Sequence, residues 1–225
     1  MTQFPEGPAK KGSKKWIQKL INEEPDLLDR QLKQNLNLPK DEQIEWLSPL
    51  KKHCYVEYCD QAFLEKLELQ TKILNLSEFW PKSGPRWDGL GKSSSGKVFL
   101  VEAKSHIPEL ISTSQAKDPN SIDKIRKSLE ETKKKLGSKT DFDWSRTFYQ
   151  YANRLAHVYF LRQNETCAYF VSIYFLNDLE MKGPKTVNEW KGALRLLHSC
   201  LGLKEQMLQG FVLELFIDVN SINNR

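Results

Sequence analysis

The chain has 225 residues and carries 34 Lys and Arg against 29 Asp and Glu, a formal charge of +5; 39% of it is hydrophobic and 28% charged. This length and balance suit one globular domain, or one with a helical extension, and they exclude wholesale disorder and collagen-like repeats. No run approaches the ~18 consecutive apolar residues of a membrane-spanning helix, and the charged N-terminus has no apolar segment behind it, so it does not read as a secretory signal.

Residues 1–14 hold Pro5, Gly7, Pro8 and Gly12 among lysines and are expected to form a flexible basic arm. From Trp16 to about Leu76 apolar residues recur at three- and four-residue steps, broken at Pro25, Pro39 and Pro49, which predicts a helical N-terminal third. Its first part, 15–54, is assigned as an extension, and 55–225 as the main domain. The turn-rich stretch Trp80 to Pro85 ends the helices. Arg86 to His106 then reads as two strands around a Gly/Ser tip. A loop and charged helix follow over 106–140, then a strongly patterned helix at 145–163 and a strand at 167–176. A helix at 186–200 and a strand at 210–219 close the order, which predicts an α/β fold with a mixed sheet and flanking helices.

Charge is grouped rather than spread. Lys10, Lys11, Lys14 and Lys15 form one basic cluster, and Lys124, Arg126, Lys127, Lys133, Lys134, Lys135 and Lys139 another. Such groups can neutralise phosphates, although charge runs of this kind also serve as plain solvated helix faces. Cys54, Cys59, Cys167 and Cys200 fit neither a zinc pattern nor a disulfide scaffold and are read as reduced thiols of a cytoplasmic protein.

The strand from Val98 to His106 carries the chemistry. Period-two alternation puts Val98, Leu100, Glu102, Lys104 and His106 on one face, so an apolar strand ends in an acid and a base. Unpaired charges in such a place are costly, which demands a reason for them. If Gly91 and Lys97 close the hairpin, Asp88 faces Leu100 and lies diagonal to Glu102. A shift of two residues puts it directly opposite Glu102, and a shift of one sends it to the other side. With the even register, two carboxylates and one ammonium converge. Two hard oxygen ligands with room for water suit Mg²⁺ or Mn²⁺ at a phosphate. The competing reading is a cross-strand salt bridge at a sheet end.

Asp88, a variable hairpin, and Glu102-Ala103-Lys104 after Val98-Phe99-Leu100-Val101 resemble the signature of the PD-(D/E)XK nuclease superfamily, with Trp87 where the family name has proline. The signature covers about residues 80–106. The order of elements is similar to the superfamily's restriction-endonuclease-like αβββαβ core over about 55–176. A closer likeness is to an uncharacterised bacterial branch with a WPxxGPxWD…VEAKxH segment. The resemblance implies that Asp88 and Glu102 bind the divalent metal and that Lys104 assists the attacking water. It also implies a further acid from the first core helix, for which Glu57 or Asp60 on a helix over 56–68 is expected. On the helix after the hairpin, Gln150, Arg154 and His157 share a face away from the core stripe, and Gln150 with Arg154 are candidates to approach a phosphate. The resulting expectation is a divalent-metal-dependent nuclease acting on DNA, with a homodimer left open. The alternatives are a catalytically inactive nuclease-fold binding or structural protein, and a metal-free nucleic-acid-binding module. His106 is read as a capping residue, and Trp80, Trp87 and Trp144 as packing residues rather than base-stacking platforms.

Overall fold

A computed structural model describes residues 3–4, 7–69 and 75–223. Its elements in chain order are β1 (Gln3–Phe4), α1 (Gly12–Glu23), α2 (Pro25–Leu36), β2 (Ile44–Ser48), β3 (Glu57–Tyr58), α3 (Asp60–Lys66), α4 (Leu76–Phe79), β4 (Gly89–Ser93) and β5 (Val98–Lys104). After these come α5 (Pro119–Leu136), α6 (Tyr149–Gln163), β6 (Ala168–Leu176), α7 (Val187–Leu201), α8 (Glu205–Leu208), β7 (Val212–Asp218) and α9 (Asn220–Asn223).

Five strands form one mixed sheet in the order β2-β4-β5-β6-β7. The pairs β2/β4 and β4/β5 are antiparallel, whereas β5/β6 and β6/β7 are parallel, the second kind needing the helical crossovers α6 and α7. All of Val98 to Lys104 is buried, as befits the central strand. One face of the sheet packs Phe99, Val101, Val171 and Ile173 against Trp16, Ile17, Leu20 and Leu28 of α1 and α2. The other face packs Leu100, Phe170 and Tyr174 against Leu155 of α6, Trp190 of α7 and Phe63 of α3. The helices α1 and α2 of the expected extension thus share one hydrophobic cluster with the sheet.

Local chemistry sets the helix ends. α1 stops at Glu24 because Pro25 takes the first position of α2, where its missing N–H costs nothing. α5 begins where the Asp118 carboxylate accepts from the Ser121 N–H at 2.8 Å and ends at Gly137, whose φ of +77° suits glycine. α6 has no capping side chain of its own at Phe148; the Ser112 hydroxyl, from a different segment, accepts from the Gln150 N–H at 2.8 Å.

Three expectations need correction, and the hairpin register settles between the two even ones left open. Residues 44–48, expected within a helical stretch, form edge strand β2, which alternation over only five residues between Pro39 and Pro49 signals weakly. The helix expected over 56–68 is a two-residue strand, β3, followed by the short α3. The expected arm over 1–14 is tied down in its described part: β1 pairs with β3, the Gly7 N–H donates to the Cys54 carbonyl at 3.2 Å, and the Ala9 N–H to the Gln18 side chain at 2.8 Å. The hairpin register is the one shifted by two, with Leu90 opposite Leu100 and Lys92 opposite Val98; its turn closes where the Ser93 N–H donates to the Lys97 carbonyl at 2.8 Å. Residues 70–74, also within the expected helical third, lie outside the described residues.

Candidate active site

The register of β4 on β5, continued one step past Gly89 and Val101, sets Asp88 opposite Glu102. The Asp88 N–H donates to the Val101 carbonyl at 3.1 Å, and its Oδ2 accepts from the Ala103 N–H at 2.8 Å. Its carboxylate is thereby pinned beside the end of β5. Glu102 and Lys104 are 4% and 8% exposed, while Asp88 is the least covered of the three.

Every polar atom of the pair on β5 is engaged. Lys104 Nζ donates to Glu102 Oε1 at 2.6 Å and to Gln150 Oε1 at 2.9 Å. Arg154 clamps the other carboxylate oxygen, with Nε at 2.7 Å and Nη2 at 2.5 Å from Glu102 Oε2. The same guanidinium donates to Asn153 Oδ1 at 2.8 Å and to the Arg86 carbonyl at 2.7 Å, and lies 4.9 Å from the Trp87 ring centroid. Gln150 and Arg154 are one helical turn apart on α6, so one helix delivers both.

These six groups and Glu57 line a single cleft of about 930 Å³. Its walls are the Trp80–Arg86 loop, the segment from Ser112 to Asp118, the start of α5, and Ser13 and Lys14 of α1. Glu57, 4% exposed, comes from β3 rather than from a helix, and Lys14 Nζ stands 3.1 Å from its Oε1. Asp60, the other candidate acid, does different work. Its carboxylate accepts from the Ser83 and Gly84 N–H groups at 3.1 and 2.8 Å, fastening the cleft's Trp80–Arg86 wall to α3.

Electrostatics separates the two central acids. Burial, then the negative charges of Glu102 and Glu57, push Asp88 up to about 8 against the pull of Lys104. Burial also works to raise Glu102, but the charges and hydrogen bonds of Arg154 and Lys104 outweigh it and hold the carboxyl below its ordinary value. At neutral pH the site thus joins an ionised, doubly clamped Glu102 to an Asp88 that favours its proton. A carboxyl kept protonated by burial and by neighbouring carboxylates marks a place where a cation would be welcome.

Among the described residues, no group of three or more His, Cys, Asp or Glu side chains could hold a metal ion. A dedicated all-protein cage is therefore absent there. Asp88 and Glu102 fit a lesser demand, that of a hard, largely hydrated cation held by one or two carboxylates, as Mg²⁺ commonly is.

The remaining sequence candidates lie elsewhere. His157 is in the core, its Nδ1 2.8 Å from the Asn153 carbonyl and its ring packed on Trp80, Trp87, Phe63 and Phe79, and burial pushes it down to about 3. His106 Nδ1 is 3.3 Å from Glu109 Oε1 and is not part of the cleft lining. Trp80, Trp87 and Trp144 are 3%, 0% and 1% exposed and are packing residues. Sequence reasoning missed Asn153, which orients Arg154 and belongs to no recognisable spacing, and it placed Lys14 only in a basic cluster, whereas Lys14 meets Glu57. Compared with models of protein families, with curated proteins and with solved structures, the chain matches none. No helix among the described residues is long and apolar enough to cross a membrane.

Proposed function

We propose that the protein is a divalent-metal-dependent nuclease that hydrolyses phosphodiester bonds, with DNA the expected polymer. The observation that carries this reading is the convergence of Asp88, Glu102 and Lys104 on adjacent strands at the floor of a wide cleft, with Gln150 and Arg154 supplied by one helix. With β3, α3, α4 and α5 set aside as additions, the helical pair, β2, β4, β5, α6 and β6 can be laid over the αβββαβ plan of the restriction-endonuclease-like fold, which supports the same reading. On this reading the meander's first strand is β2, upstream of the region in which the resemblance is legible.

Asp88 and Glu102 would hold Mg²⁺ or Mn²⁺, and that ion would polarise the phosphodiester and acidify a water. Lys104, fixed by Glu102 and Gln150, offers its ammonium to the attacking water or to developing negative charge on the phosphate. Arg154 keeps Glu102 ionised and aimed. Rim cations Lys82, Arg86 and Lys117 line the same cleft and suit a polyanionic substrate.

One observation favours a second reading. Both Glu102 oxygens already accept from cations, as a purely structural ion cluster requires, so a catalytically inactive nuclease-fold protein that binds nucleic acid or serves a structural role is the alternative.

The test is incubation of the purified protein with plasmid and with single-stranded DNA, with and without Mg²⁺ or Mn²⁺, beside Asp88→Ala and Lys104→Ala. Metal-dependent cleavage lost in both variants is the expected result. Cleavage that persists in both points to another site or a contaminant, and a wild type that neither cleaves nor binds metal favours the inactive reading.

A further inference from the structure

Glu102, Lys104 and Gln150, which line the open cleft, also line a second, much smaller space between the sheet, α6 and Leu110. It has a volume of about 10 Å³; Glu102, Lys104, Gln150, Ser172 and Tyr174 line it together with Tyr151, whose hydroxyl is 3.0 Å from His198 Nε2, and two apolar residues. The strand register explains the grouping, because Glu102 pairs with Ser172 and Lys104 with Tyr174, which puts all four side chains on the α6 face of neighbouring strands. Tyr174 is 0% exposed, and its hydroxyl makes no well-formed hydrogen bond among the described residues, although the Ser172 hydroxyl is close enough to influence it. An orphaned buried hydroxyl costs roughly 1–3 kcal/mol. Burial, with the charges of Glu214 and Glu102, outweighs the pull of the Ser172 hydroxyl and holds this phenol well above its ordinary value, so it stays protonated.

Lys104 presents a matching surplus. Its ammonium has three N–H groups, of which Glu102 and Gln150 take one each. Much of the wall is apolar, from Leu110, Phe170 and the Tyr151 ring, but a volume close to the ~10–15 Å³ that one water needs, met by the Tyr174 hydroxyl and a spare Lys104 N–H, suits a single water.

We infer that this chamber binds one ordered water molecule and that Tyr174, through it, is a positioning residue for the Glu102–Lys104 pair. The water accepts from Tyr174 and from the third N–H of Lys104, and donates towards Glu102 and Ser172. Lys104 is then fixed from three directions in the resting site, and on the nuclease reading an arriving phosphate oxygen or attacking water takes over one of these N–H groups from Gln150 or from the trapped water. The water site stands on geometry alone; its consequence for cleavage rests on the nuclease reading.

The experiment is a crystal structure of the full chain at a resolution that reveals ordered waters, for wild type, Tyr174→Phe and Ser172→Ala, with cleavage kinetics on the same proteins. A water peak about 2.6–3.2 Å from both Tyr174 Oη and Lys104 Nζ is expected in wild type. It should be lost or displaced in Tyr174→Phe, with Lys104 Nζ drawn away from Gln150. For Tyr174→Phe, kcat should fall about tenfold with KM changed less than about twofold, the size of effect typical of groups that orient a metal site's ligands. Ser172→Ala, which removes another water partner, should follow in the same direction and serves should the first variant not fold. A dry chamber in the wild-type map overturns the water site. An unmoved Lys104 or an undiminished kcat in Tyr174→Phe overturns the positioning role. If the wild type cleaves nothing, the nuclease reading fails by itself, and the water peak and the place of Lys104 still decide this inference.

Discussion

Replacing Arg154 by leucine tests how closed the site is. The guanidinium is 5% exposed and makes four hydrogen-bond or ion-pair contacts: two to Glu102, one to Asn153 and one to the Arg86 carbonyl. Its removal leaves Glu102 buried with only Lys104 as counter-charge. Breaking a buried pair from one side costs about 3–5 kcal/mol, mostly because of the charge left behind. With a urea m-value near 3 kcal/mol/M, the upper end of the range for small domains, the unfolding midpoint should fall by about 1–2 M. Lys92 and Glu68 provide the control, since they approach just as closely, 2.7 Å, but their side chains are 26% and 69% exposed. Lys92→Ala should barely move the midpoint, because solvent screens an exposed pair whatever its distance. Glu102→Gln combined with Arg154→Leu should cost less than the two single changes added together, by more than about 1 kcal/mol, since the first removes the charge that the second abandons. Strict additivity, or an Arg154→Leu midpoint within about 0.3 M of wild type, would show that water reaches Glu102 freely and would refute the buried-clamp picture on which the site assignment depends.

Four further outcomes follow from individual groups. His157 is pushed from 6.5 down to about 3 by burial, so the unfolded chain takes up a proton that the folded chain refuses; wild-type stability should therefore fall relative to His157→Phe as pH drops through about 6.5 towards 4, read by chemical denaturation at each pH. Glu214 has the opposite sign: burial raises it from 4.5 to about 7, its stabilising share is complete below 4.5 and is lost as pH rises through 7, and Glu214→Gln should gain on wild type across that window. A Cβ on Gly183 would sit 2.1 Å from the Ser105 carbonyl oxygen, backbone against backbone, so Gly183→Ala should lower Tm by roughly 4–8 °C for a cost of about 2 kcal/mol. A Cβ on Gly192 meets nothing within 4 Å in the exposed middle of α7, so Gly192→Ala should raise Tm, by about 2–4 °C for up to about 1 kcal/mol of helix propensity.

Legibility in the sequence tracked how local each cause is. β5 and β6 are runs of apolar residues longer than their polar interruptions, and α6 carries Ala152, Leu155 and Tyr159 at helical steps, so pattern alone finds them. β2 does not announce itself, because a five-residue edge strand is stabilised by what it pairs with. Trp46 lies across Gly91, where a Cβ would come within 3.0 Å of the Trp46 ring, and that dependence crosses 45 residues of chain. Glu57 was selected, but on the wrong kind of element, since a two-residue strand takes its conformation from β1 and from the bridge between Tyr58 and Trp87 rather than from its own composition.

The site divides along the same line. Asp88, Glu102 and Lys104 could be read because strand periodicity and an even hairpin register are local rules, and the observed register satisfies the parity that the convergence requires. Parity fixes which face a side chain occupies and says nothing about its charge state. That state is set by Arg154, 52 residues beyond Glu102 and on another element, and by Glu57, 31 residues before Asp88. Without Arg154, two buried acids would share Lys104 alone, and like-charge repulsion would drive one proton onto the pair with no preference between them. Arg154 breaks that symmetry: it commits Glu102 to the ionised form and leaves Asp88 as the acid whose proton an arriving cation would displace. The asymmetry is a property of the packed molecule, so the strand motif identifies the groups while the α6 crossover assigns their roles.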